Sequence, residues 1–331
     1  MADAQGNPVV VTGCAGFIGA QVCNRLLAEG REVIGVDNLN EAYDVTLKRW
    51  RLAQVTDRPG FRFYPADVTD LEMLDRVLEP HRNRVSAVIN LAARAGVRYS
   101  VVNPWVYYQT NVTGTLNLLE WCRRNGVGKF VLASSSSLYG ASQELPYRED
   151  QRTDQPLSPY AASKKAAESL CYSYHHLHGL DVSVFRYFTV YGPAGRPDML
   201  PFRLVQWISE GHPVVVYGDG TQSRDFTYVD DIARGTVAGL APLGYEIINL
   251  GSDAPVTVAE MIRLVEEKLG KRANIRYEPS HPADVRSTWA DINVAAQLLG
   301  WEPETPIEVG LANTVAWYLR EQDWARSIAT A

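Results

Sequence analysis

The sequence predicts an α/β protein built on a doubly wound parallel sheet, with a smaller C-terminal α/β region interleaved with it. Three observations carry this. Short, almost continuously apolar runs alternate with helical patterns from Val9 to Arg186, the pattern of strands buried on both faces. Small, acidic or hydroxyl-bearing residues follow these runs, where ligands bind in open α/β sheets. After Arg186 the alternation gives way to shorter elements, with no linker, repeat or low-complexity tract. The expected division is 1–186, rejoined by about 227–253, as the nucleotide-binding unit, and 187–226 with 254–331 as the substrate unit.

Taken in order, Pro8-Val9-Val10-Val11 reads as a buried strand, and Gly13-Cys14-Ala15-Gly16-Phe17-Ile18-Gly19 opens a helical pattern through Leu27. Glycines at this spacing permit a tight turn and close approach of a pyrophosphate to a helix N-terminus. The spacing is G-x-x-G-x-x-G, and a glycine cluster by itself is also what a plain turn contains. The next strand, Glu32–Val36, ends in Asp37, at the distance where a carboxylate holds a ribose diol. Negative charge there repels the 2′-phosphate of NADP, so the expectation is NAD. Asp37 as a simple turn residue is the plainer alternative.

A third strand, Phe61–Tyr64, leads to an acidic N-cap region, Asp67-Val68-Thr69-Asp70, and a helix over Leu71–Leu78. The strand Ala87–Leu91 runs into Ala92-Ala93-Arg94-Ala95-Gly96-Val97-Arg98-Tyr99-Ser100, small residues against which a flat ligand can lie. Pro104 to Cys122 reads as one long helix, and Phe130–Ala133 as a strand entering Ser134-Ser135-Ser136-Ser137-Leu138-Tyr139-Gly140. A plain serine-rich loop is the alternative for that stretch. The strand Val182–Arg186 follows, then Tyr187-Phe188-Thr189-Val190-Tyr191-Gly192-Pro193. Beyond it lie a helix at Leu200–Glu210, strands at Val214–Tyr217 and Arg224–Val229 around Gly218-Asp219-Gly220, and a helix capped by Asp230-Asp231. Glu246–Gly251 reads as a strand returning to the first sheet, Val258–Gly270 and Glu308–Glu321 as helices.

Composition narrows the function. The chain has 331 residues, 46% hydrophobic, with net charge −6 and a pI of about 5.6. That balance argues against nucleic-acid binding through a basic face. No apolar run reaches the ~20 residues a membrane helix needs, and the N-terminus lacks a basic-then-apolar leader, so a cytoplasmic protein is expected. Cys14, Cys23, Cys122 and Cys171 form no C-x-x-C pair and read as free thiols in or near the core. His175, His176 and His178 cluster at a helix end without an evident partnering Cys or carboxylate set; no metal is expected.

The chemistry concentrates in Ser158-Pro159-Tyr160-Ala161-Ala162-Ser163-Lys164. Ser158 suits an N-cap and Pro159 the first helical position. Tyr160 and Lys164, four apart, share a helical face. A cation beside a phenol lowers its pKa from about 10 and makes a proton acceptor. Alone, the pair is also what an exposed helix surface would carry.

Together, Thr12-Gly13-x-x-Gly16-x-x-Gly19, Asp37, Asp67-Val68, Leu91-Ala92-Ala93, Ser134–Gly140, Tyr160-x-x-x-Lys164 and Arg186-Tyr187-Phe188 resemble the extended short-chain dehydrogenase/reductase family, along nearly the whole chain. Within it the chain looks most like the UDP-glucuronic acid 4-epimerases, through Ala95–Ser100, Asp44-x-x-Leu47-Lys48 and Thr189–Met199. The resemblance implies a Rossmann-type sheet and tightly held NAD. It implies redox-neutral epimerisation at carbon 4 through a 4-keto sugar, with Tyr160 as base, Lys164 lowering its pKa and Ser135 bonding the 4-hydroxyl. It places the cofactor on Gly13, Gly16, Phe17, Ile18, Gly19, Asp37, Asn38, Asp67, Val68, Leu91, Ala92, Ala93, Asn111, Tyr160, Lys164, Tyr187 and Phe188. It places the UDP-sugar on Ser135, Ser136, Ser137, Arg98, Thr189, Arg196, Tyr217, Arg224 and Asp284, with Thr189 and Arg196 at the sugar carboxylate. It also implies a homodimer formed through the helices at 104–122 and 160–178.

There are departures. Arg94 stands where many relatives have glutamine, His281 where related epimerases carry arginine or glutamine, and Leu138 where valine is commoner. Arg94 and His281 leave a neutral UDP-glucose or N-acetylated 4-epimerase as the alternative. Dehydratases and decarboxylases of this fold carry acidic residues where Ser136 and Ser137 stand, and an NAD sensor would have no need of Ser135, Tyr160 and Lys164 together.

Overall fold

The computed structural model describes residues 6–140, 142, 144–279 and 285–330. Seven strands form one parallel sheet. They are β1 (Val9–Thr12), β2 (Val33–Asp37), β3 (Phe61–Pro65), β4 (Ala87–Asn90), β5 (Lys129–Ser135), β6 (Asp181–Tyr187) and, after three strands outside the sheet, β10 (Tyr245–Leu250). Their order, β10-β6-β5-β4-β1-β2-β3, reverses between β1 and β4, which is where a doubly wound sheet opens a crevice. The return of 246–251 to this sheet is as expected, with Asn249 opposite Arg186.

Successive residues of β1 face opposite sides. Val9 and Val11 pack with α1 (Phe17–Ala28), while Val10 packs with α3 (Leu71–Leu78), α6 (Gly114–Asn125) and α7 (Pro159–His178). Between α1 and α3 lies α2 (Val45–Thr56); between α3 and α6 lie α4 (Val97–Val102) and α5 (Pro104–Tyr107). A further cluster gathers β7 (Thr189–Tyr191), α8 (Leu200–Glu210), β8 (Pro213–Tyr217) and β9 (Ser223–Tyr228). After α9 (Val229–Ala238) and β11 (Pro255–Thr257) it also takes in α10 (Val258–Leu269) and, beyond β12 (Asn274–Glu278) and α11 (Asn293–Leu299), α12 (Ile307–Arg320). Leu47 of α2 is buried in that same cluster, with Tyr43 and Trp50 packed against it.

Two expectations are corrected. The single helix over 104–122 is interrupted: a π-helical turn, Tyr108–Thr113, separates α5 from α6. Inserted π turns mark functional positions, and this one carries Asn111. Asp230 and Asp231 do not cap α9. Tyr228 occupies the N-cap without a side-chain bond, and the Asp231 carboxylate instead accepts from the backbone N–H groups of Glu304 and Thr305 at 3.1 and 3.0 Å. The strands on either side of Gly218-Asp219-Gly220 pair elsewhere: β8 runs parallel to β12, and β9 lies between β7 and β11.

Candidate active site

The carboxyl ends of the parallel strands bring the expected residues together. After β1, the chain turns at Gly13, whose φ of +70° favours glycine. A Cβ on Gly19 would lie 2.0 Å from the Gly13 carbonyl oxygen, and one on Gly13 2.7 Å from the Ala92 nitrogen, so loop, helix and the segment after β4 are packed backbone to backbone. Gly16 is the N-cap of α1 and supplies no side-chain cap, leaving the first N–H groups free for a phosphate. Phe17 and Ile18 form the first turn of that helix. Asp37 ends β2; its carboxylate accepts from Ala15 N–H at 3.1 Å and Leu39 N–H at 2.8 Å, which holds it beside the glycine turn. Asn38 donates to Asp67 at 2.6 Å, and hydrogen bonds from Asn38 and Thr69 hold that carboxyl below its ordinary value despite partial burial. Val68 packs against Gly114, where a Cβ would approach it to 2.6 Å. Leu91 and Ala92 donate to Thr12, and Ala93 follows half-buried. The cradle, the uncapped helix and the Asp37 carboxylate beside them fit a dinucleotide.

Asn111 ties the two halves of the crevice. Its amide accepts from Arg94 N–H and donates to the Arg94 carbonyl, each at 2.9 Å, and donates to Ser163 Oγ at 2.9 Å. Ser163 immediately precedes Lys164 on α7. That helix starts as the sequence predicts, with Ser158 accepting from Ala161 N–H and Pro159 in the first turn.

Tyr160 projects from the first turn of α7. Burial pushes its phenol up; a hydrogen bond with Ser135 and the nearby Arg196 guanidinium act against that. Lys164 is buried and donates to the Ala133 carbonyl at 2.8 Å, and burial brings its ammonium down to about 8 despite Glu168 nearby. The expected lowering of the phenol by Lys164 is therefore not the balance in this structure: the counteracting groups are Ser135 and Arg196, and desolvation wins. Ser135 also accepts from Ser137 N–H at 3.2 Å, opening a short 3-10 turn that presents Ser136 and Ser137 half-buried.

Arg196 pairs with Asp198, Nε to Oδ1 at 3.0 Å, and donates to the Ala95 carbonyl at 3.3 Å. That same carbonyl accepts from the Tyr107 hydroxyl at 3.4 Å, and the Tyr107 ring meets the Tyr160 ring edge-on at 6.0 Å. Arg98 lies over the Tyr217 ring at 4.5 Å, so two expected substrate residues are neighbours. Thr189 starts β7, and Arg224 donates to the Ser223 carbonyl at 2.8 Å. Tyr187 commits its hydroxyl to Thr236 at 2.7 Å, while the buried Phe188 packs beside Tyr139 and Tyr147. Asp284 and His281 lie outside the described residues.

Sequence reasoning missed several participants. Glu168 lies one turn beyond Lys164, a spacing that could have flagged it. Arg51 sits seven residues after Asp44, on the face that carries the Asp44-x-x-Leu47-Lys48 signature. Tyr107 had no local signal, whereas Asp198 lies inside the Thr189–Met199 signature but was not singled out. All four cysteines are buried free thiols, and no group of three or more His, Cys, Asp or Glu placed to hold a metal occurs among the described residues. Among them, too, no helix is long and apolar enough to cross a membrane.

Comparison with known proteins agrees with this geometry. The chain is 57% identical over 320 residues to a UDP-glucuronate 4-epimerase from Thermodesulfobacterium geofontis, covering 96% of this chain and 98% of that one. The fold matches the UDP-glucuronic acid 4-epimerase of Bacillus cereus, solved with UDP-glucuronic acid and NAD, with a TM-score of 0.88 and 36% identity, covering 95% of this chain and 99% of that one. A UDP-glucose 4-epimerase from Thermotoga maritima, solved with UDP-glucose, matches with a TM-score of 0.87 and 32% identity over 95% and 99% of the two chains. Residues 9–251, which carry the glycine turn, the crevice and the tyrosine–lysine helix, match the NAD dependent epimerase/dehydratase family, and the chain belongs to it.

Proposed function

We propose that the protein is a UDP-glucuronate 4-epimerase that interconverts UDP-glucuronic and UDP-galacturonic acid with bound NAD. One observation carries the reading: Arg196 and the Tyr107 hydroxyl donate to the same Ala95 carbonyl, at 3.3 and 3.4 Å, and the Tyr107 ring meets the Tyr160 ring at 6.0 Å, which sets the Arg196 guanidinium beside the Tyr160 phenol. The carboxylate of a glucuronosyl group hangs from carbon 5, next to the reacting carbon 4. A cation for the acid and a base for the 4-hydroxyl must therefore be neighbours, and here they are.

Gly13, Gly16, Gly19, Asp37 and Asn111 would hold the cofactor, with Lys164 and Tyr160 at its reactive end. NAD supplies the acceptor for the hydride of carbon 4 and returns it. Tyr160 holds the proton of the 4-hydroxyl at its phenolic oxygen, and Ser135, hydrogen-bonded to it, orients that hydroxyl. Lys164, on the same helical face and donating to the Ala133 carbonyl at 2.8 Å, would favour the phenolate by charge once cofactor and sugar fill the site. With NAD bound, the 4-keto sugar would turn over in the site and be reduced on its other face, with Tyr160 giving the proton back, so no net oxidation would occur. A 4-keto-glucuronate is a β-keto acid and prone to lose carbon dioxide; Arg196, with Thr189, would retain the carboxylate by paired hydrogen bonds. Ser136 and Ser137 provide no acid for elimination. Arg98, Tyr217, Arg224 and Asp284 are assigned to the nucleotide end.

A neutral UDP-hexose remains the second reading because Asp198 already pairs with Arg196, leaving its charge partly spent. Following UDP-glucuronate and UDP-glucose by NMR, without added cofactor, decides. The first reading expects the acidic sugar to be preferred; a clear preference for UDP-glucose overturns it.

We also assign a homodimer. Val102 and Trp105, at α4 and α5, are 77 and 78% exposed, and Tyr172 and Leu177, on α7, 54 and 69%; exposed apolar side chains on the helices a dimer would use support a partner there. Buried free thiols support a reducing, cytoplasmic setting.

A further inference from the structure

We propose that Arg51 is a positioning residue that sets the loop carrying Arg196, and thereby the affinity for the acidic sugar. The proposal rests on the epimerase reading above. Arg51 lies on α2, the helix whose Lys48 also lies near Asp37 and Arg196, and is 2% exposed. Its Nε and Nη2 donate to the Ala194 carbonyl at 2.9 and 2.7 Å, and Nη2 donates to the Gly195 carbonyl at 2.9 Å. Nη1 donates to the Tyr43 hydroxyl at 2.6 Å. Arg196 is the next residue in the chain.

The loop would not take this shape unaided. Ala194 has φ of +52°, a region that costs a side-chain-bearing residue free energy. Two successive carbonyls turned toward one guanidinium fork offset that cost, and only a planar, multi-donor group reaches both. The guanidinium also lies 5.6 Å from the Phe17 ring and 5.4 Å from the Tyr43 ring. Phe17 is the first residue of α1, directly after the phosphate-binding turn. Arg51 thus clamps the Arg196 loop to the cofactor cradle. Its acceptors here are neutral oxygens rather than a carboxylate, so its charge adds to the field that a sugar acid meets.

The test compares UDP-glucuronate and UDP-glucose on the full-length wild type, Arg51→Lys and Tyr43→Phe, by steady-state kinetics and calorimetric binding. Arg51→Lys keeps the charge and loses the fork. It is expected to raise KM and Kd for UDP-glucuronate roughly ten-fold while kcat moves less than about three-fold and the constants for UDP-glucose barely change. Tyr43→Phe removes one acceptor and is expected to move the same ratio by about three-fold; it decides the matter if Arg51→Lys does not fold. A wild type that prefers UDP-glucuronate and variants that keep the same preference overturn the role of Arg51 alone. A wild type without that preference overturns the function reading and this role with it.

Discussion

Arg186 and Glu168 form a two-pronged ion pair, Nε to Oε1 and Nη2 to Oε2, both at 3.0 Å, with each side chain 2% exposed. Ser134 donates to the same Glu168 at 2.6 Å. The pair locks α7, which carries Tyr160 and Lys164, onto β5 and β6, which end in Ser135 and Tyr187. Arg186 also donates to the Tyr139 hydroxyl at 3.2 Å, and Tyr139 to Asn249 at 2.6 Å, so β10 joins the network. Removing one partner leaves the other charged and buried. Glu168→Ala is expected to destabilise by about 3–5 kcal/mol in denaturant unfolding, and Glu168→Ala with Arg186→Met to recover part of that loss. A loss in the double variant equal to the sum of the losses in Glu168→Ala and Arg186→Met alone would mean that the pair is not coupled.

Tyr160→Phe keeps the ring against Tyr107 and removes the oxygen that takes the proton. Its kcat for UDP-glucuronate is expected to fall by about 10²–10⁴-fold with Kd nearly unchanged. NMR of the sugar protons and calorimetry provide the two numbers. Retained turnover would show that another group accepts the proton.

Lys164 links stability to pH. Burial lowers its ammonium from an ordinary value of 10.5 to about 8, so folding favours the neutral amine. The penalty is complete below about pH 8, and it fades as pH rises toward 10.5, where the unfolded chain also loses the proton. Lys164→Met removes this dependence. Relative to that variant, the wild type is expected to gain roughly 3 kcal/mol between those two pH values, read from unfolding curves. Parallel curves would show that Lys164 is not depressed.

Gly19→Ala tests the cradle. The new Cβ would meet the Gly13 carbonyl at 2.0 Å, and backbone cannot step aside as a flexible side chain would. A loss of about 1–3 kcal/mol and of bound dinucleotide, measured by ultraviolet absorbance after extraction, is expected. Gly30→Ala, which meets nothing within 4 Å but has φ of +76°, is the control: it should cost stability and leave the dinucleotide in place.

Trp105→Glu tests the dimer. With 78% of the side chain's residue exposed, the substitution costs the single chain little, whereas a charge inside a helix-to-helix interface has no partner. Light scattering is expected to show a dimer for the wild type and a monomer for the variant; a monomeric wild type would remove the assignment.

Much of the site was legible because its signals are local. The Gly13–Gly19 spacing, Asp37 closing β2 and the Ser158-to-Lys164 helix start each depend on backbone geometry within a few residues. The π turn was not legible. Its cause is the set of bonds from Asn111 to Arg94 and Ser163, residues 17 and 52 positions away, and periodicity alone reads Pro104–Cys122 as uninterrupted. Asp230 and Asp231 looked like caps because acids often are; the N–H groups of Glu304 and Thr305, 73 and 74 positions on, claimed Asp231 instead.

By itself, then, the amino-acid order determined the parallel sheet, the nucleotide cradle and the pairing of a phenol with an amine on one helical face, because apolar period, glycine φ and helical spacing act over short range. Tertiary structure alone decided how that phenol is tuned and who surrounds it. Desolvation outweighs the expected help from Lys164, Arg196 arrives from a loop held by Arg51 across 143 positions, and Tyr107 closes the other side. Such outcomes depend on which distant segments exclude water together, a property that no short stretch of chain carries.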